Sequence, residues 1–462
     1  MFDSFTRNLI ESAPPLAGLD LSHLADELSA AHAEIAAARL RIQSPIDLPE
    51  FLVTLEDLTR GMRRLAETYE GLIVLDISVD DRTAAAFVSA AARQMLLQIE
   101  TLKETHHKPA RLDGDGIGSA IAASLLLLIA QRPADAYDMA DFILPVTAEI
   151  PQGVIGLLLS GLKMLASGQI KKLAGMELPR MDQPKIDYQE TFDLEEAALT
   201  SLYTRIQQGI ISFAREIIEA EDLKGNIYPS QSIFDQVIRL SFDVKNYHDL
   251  GTVPTVFCGP HHLSCLLKVA TRTLAGSALT RIPPPSGVDI HKWRSWTSDE
   301  AKRRPFLWGN HLGAVATGFL NSGQSLVTTC PTGAGKTTIA TLKIASVLAA
   351  GRLAVYLAPT HALAAQAERD LKERLSVLAL ARDIANVSLD EPNIDNLPSI
   401  AVMTPEKCLA LLSFSPSMFS RVGVLIFDEC HILDPGIINQ NGLRRQINVI
   451  AHGVGEKGCA AA

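Results

Sequence analysis

The sequence predicts a mainly α-helical N-terminal region, residues 1–281, followed by an α/β domain, residues 305–462, built on a parallel sheet with crossover helices. Three observations carry that expectation. Apolar residues recur at helical spacing through the first region. A proline cluster, Pro283, Pro284 and Pro285, then Ser286 and Gly287, interrupts the chain. Beyond Phe306, short β-rich runs alternate with helical segments.

In the first region, Leu21, Leu24, Leu28, Ile35 and Ile42 fall on one helical stripe that Ser44 and Pro45 should end. Leu55, Leu58, Met62 and Leu65 form a second stripe before Gly71. After the break from Pro179 to Pro184, a third holds Leu199, Leu202, Ile206, Ile210, Phe213 and Ile217. Leu72–Val79 and Thr252–Cys258 read as short strands. The apolar run Ile117–Ala130 is several residues too short to span a bilayer and reads as a buried helix. Residues 282–304 read as a proline-rich linker followed by a basic, tryptophan-containing segment. In the α/β domain, the expected strands are Ser325–Thr329, Leu353–Ala358, Ser399–Met403 and Val424–Phe427.

Composition bounds the function. Hydrophobic residues make up 47% of 462 and charged residues 20%, a globular balance. A net charge of −10 supplies no global attraction for nucleic acid or an anionic membrane, so any nucleic-acid contact must be local. Six cysteines at unrelated spacings suit reduced thiols. The start of the chain lacks an uninterrupted apolar stretch. Together these features read as a cytoplasmic protein with no membrane partner.

The chemistry is concentrated at one motif. After the first expected strand come Cys330, Pro331, Thr332, Gly333, Ala334, Gly335, Lys336, Thr337 and Thr338, then a helical segment. This is a P-loop: glycines let backbone amides turn toward phosphates, Lys336 reaches them as a point charge, and the Thr337 hydroxyl can ligate Mg²⁺. A second apolar strand ends in Asp428, Glu429, Cys430 and His431. Asp428 at a strand tip can hold the water shell of Mg²⁺, and Glu429 can orient and deprotonate an attacking water.

From about Phe306 to Leu433 the chain resembles the DExH-box helicases of superfamily 2, the Ski-type branch most of all. Ala358–Gln366 is similar to the family's motif Ia, and Thr404–Lys407 to its motif Ib. The resemblance implies a RecA-like lobe that uses ATP and Mg²⁺, with Glu429, Asp428, Lys336 and His431 as candidate catalytic residues. Pro331 to Thr338 would cradle the nucleotide. Pro359, Thr360, His361, Gln366, Thr404, Pro405 and Glu406 would follow a single strand of DNA or RNA. His361 stands where the family commonly carries arginine or lysine. His311 stands nearest the family's adenine-reading glutamine.

The sequence as given reaches Ala462 without the family's Ser-Ala-Thr strand or a second RecA-like lobe. The expectation is therefore an incomplete motor, binding nucleotide weakly, hydrolysing it slowly and unwinding nothing unaided. Two other readings stand beside it: a split module needing a partner protein that carries the second lobe, and a scaffold that binds protein through its helical region.

Three weaker patterns remain. Cys258, His261, His262 and Cys265 crowd four potential metal ligands into eight residues, though no second pair follows and a helix start explains them more simply. Gly114, Gly116 and Gly118 lack the strand and spacing of a dinucleotide fingerprint and read as a helix's first turn. Lys302, Arg303 and Arg304, near Trp293, Trp296 and Trp308, could meet a nucleic-acid strand, or form a solvated charge run beside core tryptophans.

Overall fold

The computed structural model describes residues 2–43, 54–102, 108–179, 191–219, 229–247, 251–329, 335–387 and 396–428. The chain divides into two compact units, Met1–Ala278 and Leu279–Ala462.

The first unit is helical, with α1 Ser4–Glu11, α2 Leu21–Gln43, α3 Leu55–Ile73, α4 Val79–Glu100, α5 Ser119–Ile129, α6 Pro133–Ile143, α7 Gly153–Ala166, α8 Ile170–Ala174, α9 Thr191–Glu219, α10 Pro229–Ser241 and α11 Cys258–Gly276. An antiparallel hairpin, β1 Phe242–Tyr247 with β2 Gly251–Val256, precedes α11. The stripes do the packing the sequence assigns them. Leu24, Leu28 and Ile35 are buried on α2, and Leu202, Ile206, Ile210, Phe213 and Ile217 on α9. Every residue of α5 is buried. Its eleven residues extend only ~16 Å at 1.5 Å per residue. No described helix is long and apolar enough to cross a membrane.

The strand expected at Leu72–Val79 is absent. Leu72 and Ile73 finish α3, Ser78 caps α4 by accepting a hydrogen bond from the Asp81 amide, and Val79 opens that helix. Asp80 and Asp81 in the first turn suit the positive end of the helix. The apolar run straddles a helix end and a helix start, which leaves Val74 and Leu75 exposed.

Buried charges join α3, α4 and α11. Arg93 donates from Nε and Nη2 to the two oxygens of Glu70 at 2.7 and 2.8 Å, and His262 Nε2 lies 3.0 Å from Glu70 Oε2. Burial alone would raise the pKa of Glu70, but the hydrogen bonds and charge of Arg93, then His262, outweigh it and hold the carboxyl at about 2.

The second unit contains α12 Ile290–Ala301, α13 Gly309–Ala316, α14 Lys336–Ala349, α15 His361–Arg374 and α16 Pro405–Phe414. Its four described strands are β3 Leu353–Leu357, β4 Ile384–Asn386, β5 Ile400–Met403 and β6 Val422–Phe427. They form one sheet in the order β4-β5-β3-β6, with every pairing parallel. One face carries α12 to α15, through Trp293, Trp296, Ala314, Leu342, Ile344, Ala364 and Leu371, packed on Ala354, Tyr356, Ile400 and Val402. The opposite face carries α16, through Cys408, Leu411 and Leu412, on Val355, Leu357, Ala401 and Met403. Strands buried on both sides account for the near-continuous apolar runs in the sequence. This is the α/β lobe expected, a parallel sheet with crossover helices behind a mainly helical region.

One correction concerns this unit. Ser325–Thr329 lies outside the described sheet, with Val327 88% exposed; strand formation depends on partners more than on intrinsic preference. Within residues 282–304, Pro283, Pro284, Ser286 and Gly287 are exposed, while α12 contributes its tryptophans to the core. Ile282, Trp293 and Trp296 are buried, and the indoles donate to the carbonyls of Ile282 and Arg374. Trp293 and Trp296 are thus closed to nucleic-acid bases, while Lys302, Arg303 and Arg304 pair with Asp299 and Glu300.

Candidate functional site at the sheet edge

Parallel strands deliver their following loops to one edge of a sheet, and here those loops carry the candidate residues. Pro359–His361 follow β3, Thr404–Glu406 follow β5, and Asp428 follows β6. The 14-residue helix α14 packs on β3 and β6 and feeds β3 through a turn at Gly351, so Lys336 at its other end returns to that same edge.

Gly335 is the N-cap of α14, with φ +87°, in the left-handed region that favours glycine. A second constraint reinforces it: a Cβ built there would collide with Nε2 of His311. The first turn is closed by the Thr338 amide donating to the Gly335 carbonyl at 2.9 Å. Lys336 and Thr338 are half-buried and Thr337 is exposed. Gly335→Ala should destabilise this lobe by ~1–3 kcal/mol from backbone strain and the clash. Adding His311→Ala should return the steric part in a thermal melt, and no recovery in the double variant would contradict the contact.

His311 sits in the first turn of α13, 7% exposed. The Trp308 amide donates to its Nδ1 at 3.2 Å, which favours the tautomer with hydrogen on Nε2, the atom facing Gly335. Burial lowers its pKa below the ordinary histidine value, the Gly335 backbone working against that and the charge of Arg374 adding to it. The ring backs the Gly335 corner.

Asp428 is pinned by β3. Its amide donates to the Leu357 carbonyl at 3.0 Å, and the buried Tyr356 hydroxyl donates to its Oδ2 at 2.7 Å. Tyr356 is a neighbour of the candidate site that sequence reasoning missed, since its spacing reads only as strand core. Lys343 is another: buried on α14, it donates to the carbonyls of Phe319 and Asn321 at 2.6 and 2.8 Å, and burial lowers its pKa. It thereby ties the segment leading into the P-loop to the helix leaving it. Cys330, Pro331, Thr332, Gly333 and Ala334, like Glu429, Cys430 and His431, lie outside the described residues.

Of the candidate strand contacts, Thr360 caps α15, accepting from the Leu363 amide, and is exposed with His361 and Gln366; Pro359 is half-buried. Thr404 and Pro405 are buried, which leaves Glu406 as the exposed side chain of its group. The Cys258–Cys265 cluster is the start of α11: His262 contacts Glu70, and His261 Nδ1 lies 3.2 Å from the Ser241 hydroxyl. Among the described residues no group of three or more histidine, cysteine, aspartate or glutamate side chains is placed to hold a metal. Gly118 caps α5, as the helix-turn reading of the glycine triplet expects.

Comparison with known proteins matches this part of the chain. The DEAD/DEAH box helicase family model matches residues 314–453. The ATP-dependent DNA helicase Hel308 of Methanocella arvoryzae is 30% identical over 136 residues, 28% of this chain and 18% of the relative. The DExH-box ATP-dependent RNA helicase DExH9 of Arabidopsis thaliana is 33% identical over 114 residues, 25% of this chain and 11% of its own length. The Hel308 of Aeropyrum pernix is 36% identical over 121 residues, 25% and 16%. The chain spans less than a fifth of the length of these relatives. The matches support a superfamily 2 helicase domain over this part of the chain.

Proposed function

We propose that residues 305–462 are the first, nucleotide-binding RecA-like lobe of a DExH-box nucleic-acid helicase or translocase of the Ski-type branch, preceded by a helical region, residues 1–281, with a role of its own. The observation that carries this reading is the meeting of α14's first turn and the loops after β3, β5 and β6 at one sheet edge.

In this reading ATP is the substrate. Lys336 binds the β- and γ-phosphates, helped by the amides at the start of a 14-residue helix. The Thr337 hydroxyl and the Asp428 carboxylate would hold Mg²⁺, which when bound neutralises charge on the phosphates. The donor set fits a hard cation: oxygen ligands at a strand tip and a helix start. Tyr356 orients Asp428 through a hydrogen bond to Oδ2. Glu429 holds and deprotonates water, and Thr360, His361 and Gln366 meet the sugar-phosphate backbone of a single strand.

The test is a calorimetric titration of ATP into the full chain with and without Mg²⁺. Wild type should bind, and Mg²⁺ should tighten binding about tenfold, ~1.4 kcal/mol. Asp428→Asn should bind with the metal-free affinity in both conditions. Absence of binding in wild type would sink the reading.

A further inference from the structure

Behind the first turn of α14 lies a group of buried charges that the proposed chemistry does not use. Arg374, the last residue of α15, is 5% exposed, and its Nε donates to Oε1 of Glu300 on α12 at 2.7 Å. Its Nη2 reaches the Thr338 hydroxyl at 3.5 Å, two residues beyond Lys336. The Arg374 carbonyl accepts the Trp296 indole N–H at 2.9 Å. Glu300 is 1% exposed and also meets Arg304 at 3.3 Å.

A buried ion pair that only tethers two helices is a poor device, because desolvation offsets its attraction and apolar side chains often do as well. A guanidinium adds a planar fork with separate donors. Here one nitrogen is taken by Glu300 and another is turned to the phosphate-binding helix. Meanwhile α15 is a 14-residue rod, ~21 Å long at 1.5 Å per residue, that begins at His361, where the proposed strand contacts lie. One rigid element therefore carries strand-facing residues at its start and a contact with α14 at its end.

We propose that Arg374 is a positioning residue that couples strand binding at the start of α15 to nucleotide affinity at the start of α14. The proposal rests on the functional reading above. Linkage makes the effect reciprocal: a strand that alters nucleotide affinity by some factor has its own affinity altered by the same factor.

The experiment measures the affinity of the full chain for ATP·Mg²⁺ with and without a saturating mixed-sequence single-stranded oligonucleotide, DNA in one arm and RNA in the other. In wild type the strand should change nucleotide affinity about fivefold or more in at least one arm. Arg374→Lys keeps a cation opposite Glu300 but has one nitrogen where the fork had separate donors. It should melt near wild type and bind each ligand alone within about threefold, while the strand effect falls to about one. Thr338→Val removes the contact from the other side; because Thr338 belongs to the proposed nucleotide cradle, its strand effect is read against its own strand-free nucleotide affinity and should fall to about one, with no further loss of the strand effect in the double variant. A folded variant that retains the strand effect overturns the proposal, as does a wild type that binds nucleotide without responding to either strand. A wild type that binds no nucleotide fails in the strand-free titration, which locates the fault in the functional reading and removes this proposal with it.

Discussion

Lys336→Ala is expected to abolish nucleotide binding while leaving the lobe folded. Lys336 is the first residue of α14 and is half-buried, whereas the packing of that helix is carried by Ile339, Leu342, Ile344, Ala345 and Leu348. Alanine is the best helix former, so the substitution costs the helix nothing. What disappears is a cation placed beside the N-terminal amides, where triphosphate charge would concentrate. Affinity should fall by at least about a hundredfold, ~2.7 kcal/mol, with the melting temperature unchanged. The two measurements must be read together. Lost binding with an early melt would indicate an unfolded helix, and equal affinity in the two proteins would remove Lys336 from the phosphate site.

The candidate site was legible in the sequence as a motif and the sheet as apolar runs, the contacts supporting them were not, and the reason is physical. Phosphate chemistry demands glycine, lysine and a hydroxyl at fixed spacing, so Gly335, Lys336 and Thr337 announce themselves. The parallel strands announce themselves too, because burial on both faces writes runs such as Ile400–Met403. The supporting contacts do not. Tyr356 to Asp428 spans 72 residues and Arg374 to Glu300 spans 74, and nothing in local pattern specifies such partners. Leu72–Val79 misled for a related reason: periodicity cannot show that a run is split between two helices until Ser78 is seen capping the second. The tryptophans left two readings open because an indole serves equally as a stacking platform or a core filler. Burial of Trp293 and Trp296 to 1% exposure decides for the core.

Arg93→Met is expected to be the most destabilising single change in the helical unit, because it removes one half of a buried pair. The Arg93 and Glu70 side chains are 10% and 7% exposed, and the two hydrogen bonds between them satisfy both carboxylate oxygens. Deleting the cation strands Glu70 among α3, α4 and α11, with His262 and the Ser89 hydroxyl left beside it, at a cost of ~3–5 kcal/mol. Glu70→Met together with Arg93→Met should recover most of that loss, since no charge then remains to be desolvated. The pH dependence follows from the depressed carboxyl. Its folded pKa of about 2 lies below the ordinary 4.5, so its contribution is complete above that ordinary value and drains away as pH falls toward 2. Hydrogen exchange of the α3 and α4 amides, followed at neutral pH and through this acid window, reads the local stability directly. Wild type should lose protection on acidification, and the double methionine variant should lose much less. If Arg93→Met exchanges within ~1 kcal/mol of wild type at neutral pH, the pair is not holding these helices together.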